Sequence, residues 1–389
     1  MVRGINSANE SYLTTCACPG ASHPRANMSA NWVLLLRPPQ GDPCRLVGGL
    51  SLVLRLALDA QAAGSIGIVN QTGDPRVAAA LTDRRLHTRV LHEPPDGTRV
   101  IAVPAHFVWH RSTLPSLLLN MPHAEPSMDL DLTQLTCSAP FGFDPIAVTD
   151  ARTAAQAEQR LFRSLRKVQD GWTSRWLNRY ISLFFSRWLV KTPLSPNQIS
   201  VGILAIGLFG AYLASCGTYA MLAIGAVLFQ MQSVLDGCDG EVSRITYRGS
   251  KAGEWFDTIG DDLTNYSFFA CAGFGLYRVQ QQPIYLIAAA VTVICGLLSS
   301  GLEYRYLIRV GSGDLLKYPL SQATSGPSHG IARLAPLLKR DTFVFLTMLA
   351  ALANQVGVVL LVFAVGAIGI AAAVIRTEIR LARSSPEVR

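Results

Sequence analysis

Six apolar segments fill the chain after residue 195, at about Ile199–Ser215, Tyr219–Leu235, Leu263–Tyr277, Ile284–Ser300, Asp341–Ala353 and Val356–Ile375. A helix that crosses a bilayer needs roughly 20 predominantly apolar residues. Five segments come close to that length, and the fifth in order is short and must borrow flanking residues. Of 389 residues, 50% are hydrophobic and only 15% charged, too few charges to cover a soluble protein of this size. The expected fold is therefore an α-helical membrane protein with six transmembrane helices, placed behind a soluble region.

Charge sorts the connections. Arg187 and Lys191 precede the first segment. Arg244, Arg248 and Lys251 join the second to the third, and Arg305, Arg309, Lys317, Arg333, Lys339 and Arg340 join the fourth to the fifth. Arg376, Arg380 and Arg383 follow the last. The opposite connections, around Cys216–Thr218 and Asn354–Gln355, carry no basic residue, and Arg278 is the lone exception. By the positive-inside bias, both termini face the cytoplasm. The formal charge of +8 then suits anionic lipid headgroups better than nucleic acid, and no nucleic-acid partner is expected. Arg305, Arg309, Lys339 and Arg340 read as topology signals, as lipid contacts or as a basic pocket for phosphate.

Ahead of the apolar segments, Thr173–Lys191 carries two stripes. Trp176, Leu177, Tyr180, Ile181, Phe184, Phe185, Trp188 and Leu189 form one; Arg175, Arg179, Ser182 and Ser186 form the other. Spacings of three and four put each set on its own helix face, as in a helix lying in the headgroup layer. Further upstream, strand-like runs (Trp32–Arg37, Ser65–Asn70, Thr88–Glu93, Arg99–Pro104) alternate with helical ones (Gly49–Ala63, Pro75–Leu81, Thr113–Leu119). That order predicts an α/β Rossmann-like soluble domain. Residues 1–30 lack an apolar signal-peptide core and read as a disordered tail in which Met28 is an alternative start. The eight cysteines include no paired zinc-ligand spacing, Cys16 and Cys18 having no matching pair, so free thiols on a cytoplasmic protein are expected.

The second and third apolar segments meet through a charged constellation. Asp236 and Asp239, three apart, close one; Asp257 and Asp261, four apart, open the next; Gly240, Ser243, Arg244 and Gly253 lie between. Each aspartate pair shares a helix face, and an antiparallel hairpin brings the two faces together. Four converging carboxylates repel strongly, and divalent cations such as magnesium, manganese or calcium relieve this. Glycine allows close approach, and an arginine can hold a phosphate. Carboxylates alone would also suit a solvated turn, or a proton or ion path through a transporter.

The full pattern, Asp-x-x-Asp-Gly-x-x-Ala-Arg, eight residues, Gly-x-x-x-Asp-x-x-x-Asp, resembles the signature of the CDP-alcohol phosphotransferases. Only Ser243 departs, where alanine is usual. The resemblance, over about residues 170–380, implies an enzyme that moves a substituted phosphate from a CDP-linked donor, CDP-diacylglycerol or a CDP-polyol, to an alcohol acceptor and releases CMP. It further implies Asp236, Asp239, Asp257 and Asp261 as ligands of two magnesium or manganese ions, with Asp261 also the general base. Gly240, Arg244, Gly253 and, from the Thr192–Asn197 segment, Asn197 would face the nucleotide, although helix capping is an alternative role for Asn197. A homodimer in the cytoplasmic membrane is also implied. A six-span ion-coupled transporter and an inactive membrane scaffold are the rival readings.

The N-terminal region distantly resembles sugar-phosphate nucleotidyltransferases, which are fused to this membrane fold in some inositol-phosphate enzymes. Where such domains carry a glycine-rich phosphate loop, this chain has Leu36-Arg37-Pro38-Pro39-Gln40-Gly41, and His106 stands where a metal-binding aspartate is expected. Two prolines remove amide donors that would cradle phosphate. The expected division is a tail (1–30), an inactive nucleotidyltransferase-like domain (31–150), a linker with an interfacial helix (151–192) and a membrane domain (193–389).

Overall fold

A computed structural model describes residues 31–120, 127–129, 144–166, 173–323 and 340–384 of the chain. The expected tail, Cys16, Cys18, Arg333 and Lys339 lie outside the described residues.

The soluble domain begins with β1 (Trp32–Arg37), in which five successive apolar residues are buried, as in a parallel strand covered on both faces. A hairpin of β2 (Leu46–Val47) and β3 (Leu50–Ser51) follows, turning at Gly48 and Gly49, both with positive φ. This turn corrects the expectation of a helix from Gly49: α1 (Leu52–Ala62) starts only after the hairpin. Then come β4 (Gly67–Asn70), α2 (Pro75–Ala80), β5 (Arg89–Leu91), β6 (Arg99–Pro104), β7 (Phe107–Val108), α3 (Thr113–Asn120), β8 (Ser127–Asp129) and β9 (Ile146–Ala147). Five of the strands form a parallel sheet in the order β5-β4-β1-β6-β8, with Leu34 aligned to both Ile68 and Ile101. The strand order reverses beside β1, as in doubly wound nucleotide-binding folds.

Asp150 caps α4 (Ala151–Ser164) with a reciprocal bond to Thr153. A π-helical turn at Ser174–Asn178 leads into α5 (Arg179–Leu189). The bundle comprises α6 (Pro196–Ala214), α7 (Tyr219–Leu235), α8 (Gly237–Thr246), α9 (Lys251–Gln280), α10 (Ile284–Val310), α11 (Pro319–Ala323), α12 (Arg340–Leu352) and α13 (Val356–Ser384), with a 3-10 turn at Leu315–Lys317 before α11. Among the described residues four stretches are long and apolar enough to cross a membrane: Pro196–Ala214, Tyr219–Thr246, Ile284–Val310 and Val356–Arg383. The other two expected spans fall short of that measure. The first turns of α9 carry Lys251, Glu254, Asp257, Asp261 and Asp262, and α12 has only 13 residues.

Small residues set the helix spacing. A side-chain carbon on Gly210 would lie 2.8 Å from the Gly225 carbonyl oxygen, so α6 and α7 cross almost backbone to backbone. Phe229 stacks on Phe268 at 4.4 Å between α7 and α9.

The two domains share a core. Val47, Leu52, Val108, Val148 and Phe162 pack in one buried cluster with Leu183, Val190, Ile199, Cys238 and Ile245. Polar contacts reinforce it. Arg55 donates to the carbonyls of Ile245 (3.0 Å) and Val47 (2.7 Å), and Arg85 to that of Thr246 (2.7 Å). Buried Asp59 accepts from Trp109 Nε1 at 3.0 Å and from the Tyr247 hydroxyl. Burial pushes the Asp59 carboxyl up to about 6, against the lowering pull of Tyr247, Arg55, Arg111 and Trp109.

Candidate active site

Asp236 sits at the junction of α7 and α8, Asp239 in the first turn of α8, and Asp257 and Asp261 in successive turns of α9. Carboxylate oxygens of Asp236, Asp257 and Asp261 all come within 4.8 Å of one another. Asp239 stands just outside this trio, held by the Ser200 hydroxyl of α6, and a cleft of about 10 Å³ is lined by all four aspartates. That is about the room of one water-sized sphere, which fits an ion and excludes a substrate group.

A guanidinium already stands beside these carboxylates. Arg340, at the start of α12, lies 2.7 Å from Asp261 Oδ1 and 3.2 Å from Asp236 Oδ2, and also donates to Gln232 (2.8 Å) and Asn265 (3.4 Å). A cation is thus drawn to the spot where the charge pattern calls for one, and the hard oxygen donors around it suit magnesium or manganese. The placement also answers the sequence ambiguity over Arg340, whose guanidinium is turned to the aspartates.

The cleft adjoins a larger cavity of about 770 Å³, with Ser200, Asp239 and Asp257 lining both. Asn197, Gly240, Arg244 and Gly253, the residues expected to face a nucleotide, all line this second space beside the carboxylates. Arg244 folds back over Gly240, where a side-chain carbon would lie 3.1 Å from Nη1. Its Nε is buried with no hydrogen-bond partner. Asn197 Oδ1 would lie 3.2 Å from a side-chain carbon on Gly253. The capping alternative for Asn197 is overturned: Ser195 caps α6 through Gln198, with Pro196 in the first turn.

The charged motif is anchored from behind. Glu241, fully buried, accepts from Arg179 Nη1 (2.6 Å), Ser182 Oγ (2.8 Å) and Ser186 Oγ (2.7 Å) of α5. The polar stripe of α5 therefore faces protein, not water, while Trp176, Tyr180, Phe184 and Trp188 stay exposed. A headgroup-layer helix presents an apolar face of this kind. The positions of Ser200, Gln232, Arg340 and Glu241 beside these groups have no sequence signal; only the steps of three and four linking Arg179, Ser182 and Ser186 point to one shared helix face.

The large cavity also has a wall from the soluble domain, formed by Leu58, Gln61, Ala62, Arg85 and Arg111. In that domain, the Gln40 amide donates to His106 Nδ1 (3.3 Å), and a side-chain carbon on Gly41 would lie 2.7 Å from the Val148 carbonyl oxygen.

Residues 194–377 match the family model described as CDP-alcohol phosphatidyltransferase. Curated relatives include the "Bifunctional IPC transferase and DIPP synthase" of Aquifex aeolicus, 34% identical over 35% of this chain and 31% of that protein. The protein of the same name from Thermococcus kodakarensis is 31% identical over 53% of this chain and 44% of its own length. The matches thus span less than half the length of these relatives. Among solved structures, Mycobacterium tuberculosis phosphatidylinositol phosphate synthase with CDP-DAG bound aligns with TM-score 0.40 and 16% identity, over 54% of this chain and 96% of that one.

Proposed function

Since residues 194–377 match the CDP-alcohol phosphatidyltransferase family model, we infer that the chain transfers a substituted phosphate from a CDP-linked alcohol to an acceptor hydroxyl and releases CMP. One observation carries this reading: the residues of the motif line two adjoining clefts, one acidic and ion-sized, the other roomy and bearing Arg244. A transporter would not need glycines and an arginine in register with its carboxylates.

Asp236, Asp257 and Asp261, joined by Asp239, would hold magnesium or manganese, two ions by family resemblance. Bound there, the ions supply charge neutralisation for the pyrophosphate and its leaving group. Arg244, held over Gly240, pairs with phosphate, and Gly253 leaves room for the nucleotide beside Asn197. Asp261 takes the proton from the acceptor hydroxyl. The acceptor oxygen bonds to the phosphorus that carries the alcohol, and the bond from that phosphorus to the CMP oxygen breaks. Asp261→Asn should abolish turnover and leave CDP binding largely intact; near-wild-type rates in that variant would remove Asp261 as the base.

CDP-diacylglycerol with a polyol or glycerol phosphate is the first donor and acceptor pair to test, and a soluble CDP-inositol-type donor the second. The fused domain and the named activities of the relatives favour including the latter. We also propose that α9 and α12 complete six spans, with the basic connections and the site on the cytoplasmic face, and that the protein works as a homodimer. Crosslinking in membranes and cysteine accessibility test these two points. The soluble domain is read as inactive in nucleotidyl transfer, supported by Pro38, Pro39, His106 and the closing of Val148 onto Gly41. Pyrophosphate release by the full chain from CTP and any sugar or inositol phosphate would end that reading. The function itself is tested by metal-dependent CMP release across a panel of CDP donors and alcohols, with products identified by mass spectrometry.

A further inference from the structure

The cavity beside the aspartates reaches well beyond the motif. Its far side belongs to the soluble domain, where Leu58 and Ala62 of α1 give an apolar surface and Arg111, in the loop between β7 and α3, adds a charge. Arg85 and Gln61 on the same wall are engaged. Arg85 is paired with Asp83 and bonded to the Thr246 carbonyl, while Gln61 bonds to Arg85, His87 and Thr88. Arg111 differs from both. It is exposed and makes no ion pair or hydrogen bond among the described residues; its guanidinium lies 5.9 Å from the centre of the Tyr247 ring.

Across the same cavity lies Arg244, whose buried Nε also lacks a partner. Arg111 and Arg244 thus offer two guanidinium groups to one space, an arrangement that suits the phosphates of a ligand lying between them. The loop that bears Arg111 is brought to the cavity by the shared core and by the Asp59–Tyr247 and Arg55–Ile245 contacts between the domains.

We propose that Arg111 is a nucleotide-binding residue of the donor site, so that the soluble domain, whatever its own activity, completes the site of the membrane domain. The proposal rests on the CDP-donor reading above. The ligand chemistry is that of a nucleoside diphosphate: a planar base with room over Leu58 and Ala62, and phosphates within reach of two arginines and the ion cleft. A domain retained for this purpose needs no phosphate loop of its own.

The test uses the full chain in lipid nanodiscs with manganese, and CDP binding by calorimetry. Arg111→Gln should weaken CDP binding roughly tenfold, the scale of one charge-assisted contact, and flatten its salt dependence. Arg111→Lys should recover part of the loss, and Arg152→Gln, a cation of α4 outside the cavity, should change nothing. Acceptor KM should stay constant. A second readout needs no variant: CDP should shield Arg111 of the wild-type protein from phenylglyoxal, mapped by mass spectrometry, better than inorganic phosphate does. Wild-type CDP affinity in Arg111→Gln, modification of Arg111 unchanged by saturating CDP, or an effect confined to acceptor KM overturns the proposal and leaves the donor reading standing. Failure of the wild-type protein to bind any cytidine nucleotide overturns the donor reading itself, and the role of Arg111 with it.

Discussion

Replacing Glu241 with alanine removes the carboxylate that ties α5 to the charged motif. Its side chain is 0% exposed and the Arg179 side chain 11%, so the pair is held out of solvent and water cannot repair the loss. The two serine hydroxyls can rotate to donate to backbone carbonyls; Ser186 already lies 3.5 Å from that of Cys238. The Arg179 guanidinium loses its ion pair with Glu241. Breaking one side of a buried ion pair costs about 3–5 kcal/mol, and the adaptable serines place the expected loss near the lower end, about 3 kcal/mol. Thermal unfolding in detergent, followed by tryptophan fluorescence, reads the change directly, because Trp176 and Trp188 stand on the exposed face of the anchored segment. The double variant Arg179→Met with Glu241→Met should recover most of the loss, since apolar side chains of similar bulk replace such pairs at little cost. A loss below about 0.5 kcal/mol in Glu241→Ala, typical of surface substitutions, would refute the anchoring role. So would a double variant whose losses simply add.

Three further outcomes follow. Because the Asp59 carboxyl titrates near 6 in the fold, against about 3.9 unfolded, the folded state holds its proton more tightly. The stability this confers is complete below pH 4, is lost as pH rises toward 6, and leaves a deficit of about 3 kcal/mol at pH 7. Asp59→Asn, which keeps an acceptor for Trp109 and Tyr247, should therefore melt higher than wild type at pH 7.5 and alike at pH 4; equal melting at both would refute the buried charge. Arg340→Gln withdraws a positive charge lying 2.7 Å from Asp261 and should tighten manganese binding roughly tenfold, a change electron paramagnetic resonance titration detects; weaker binding would show that Arg340 does not compete with the ion. Asp261→Asn should separate chemistry from binding by losing CMP release while keeping CDP affinity.

Much of this fold is legible in the sequence because bilayer-length apolar runs leave few alternatives. The expected second segment and α7 share both ends, Tyr219 and Leu235. The aspartate pairs were equally readable, since steps of three and four fix a shared helix face before any tertiary contact is known. The start of α9 was not, because its first turns are charged and the apolar pattern begins only at Leu263. Two-residue strands such as β2 and β3 carry no period to detect, so the Gly48–Gly49 turn was absorbed into a helix. Ser200, Gln232 and Glu241 are single polar residues whose meaning depends on which helix packs against them. Arg340 could be read as a topology signal or a phosphate contact, and only the approach of α12 to α7 and α9 shows it beside Asp236 and Asp261. Arg111 lies in a loop of another domain, where no spacing rule could connect it to a cavity beside α8.

The central claim is that Asp236, Asp257 and Asp261 together trap a divalent cation next to a cytidine nucleotide. Manganese titration of the full chain in nanodiscs, followed by electron paramagnetic resonance with and without CDP, tests it most directly. The account predicts bound manganese that CDP tightens and that the triple variant Asp236→Asn, Asp257→Asn, Asp261→Asn loses. Equal manganese binding in wild type and triple variant, indifferent to CDP, would contradict it.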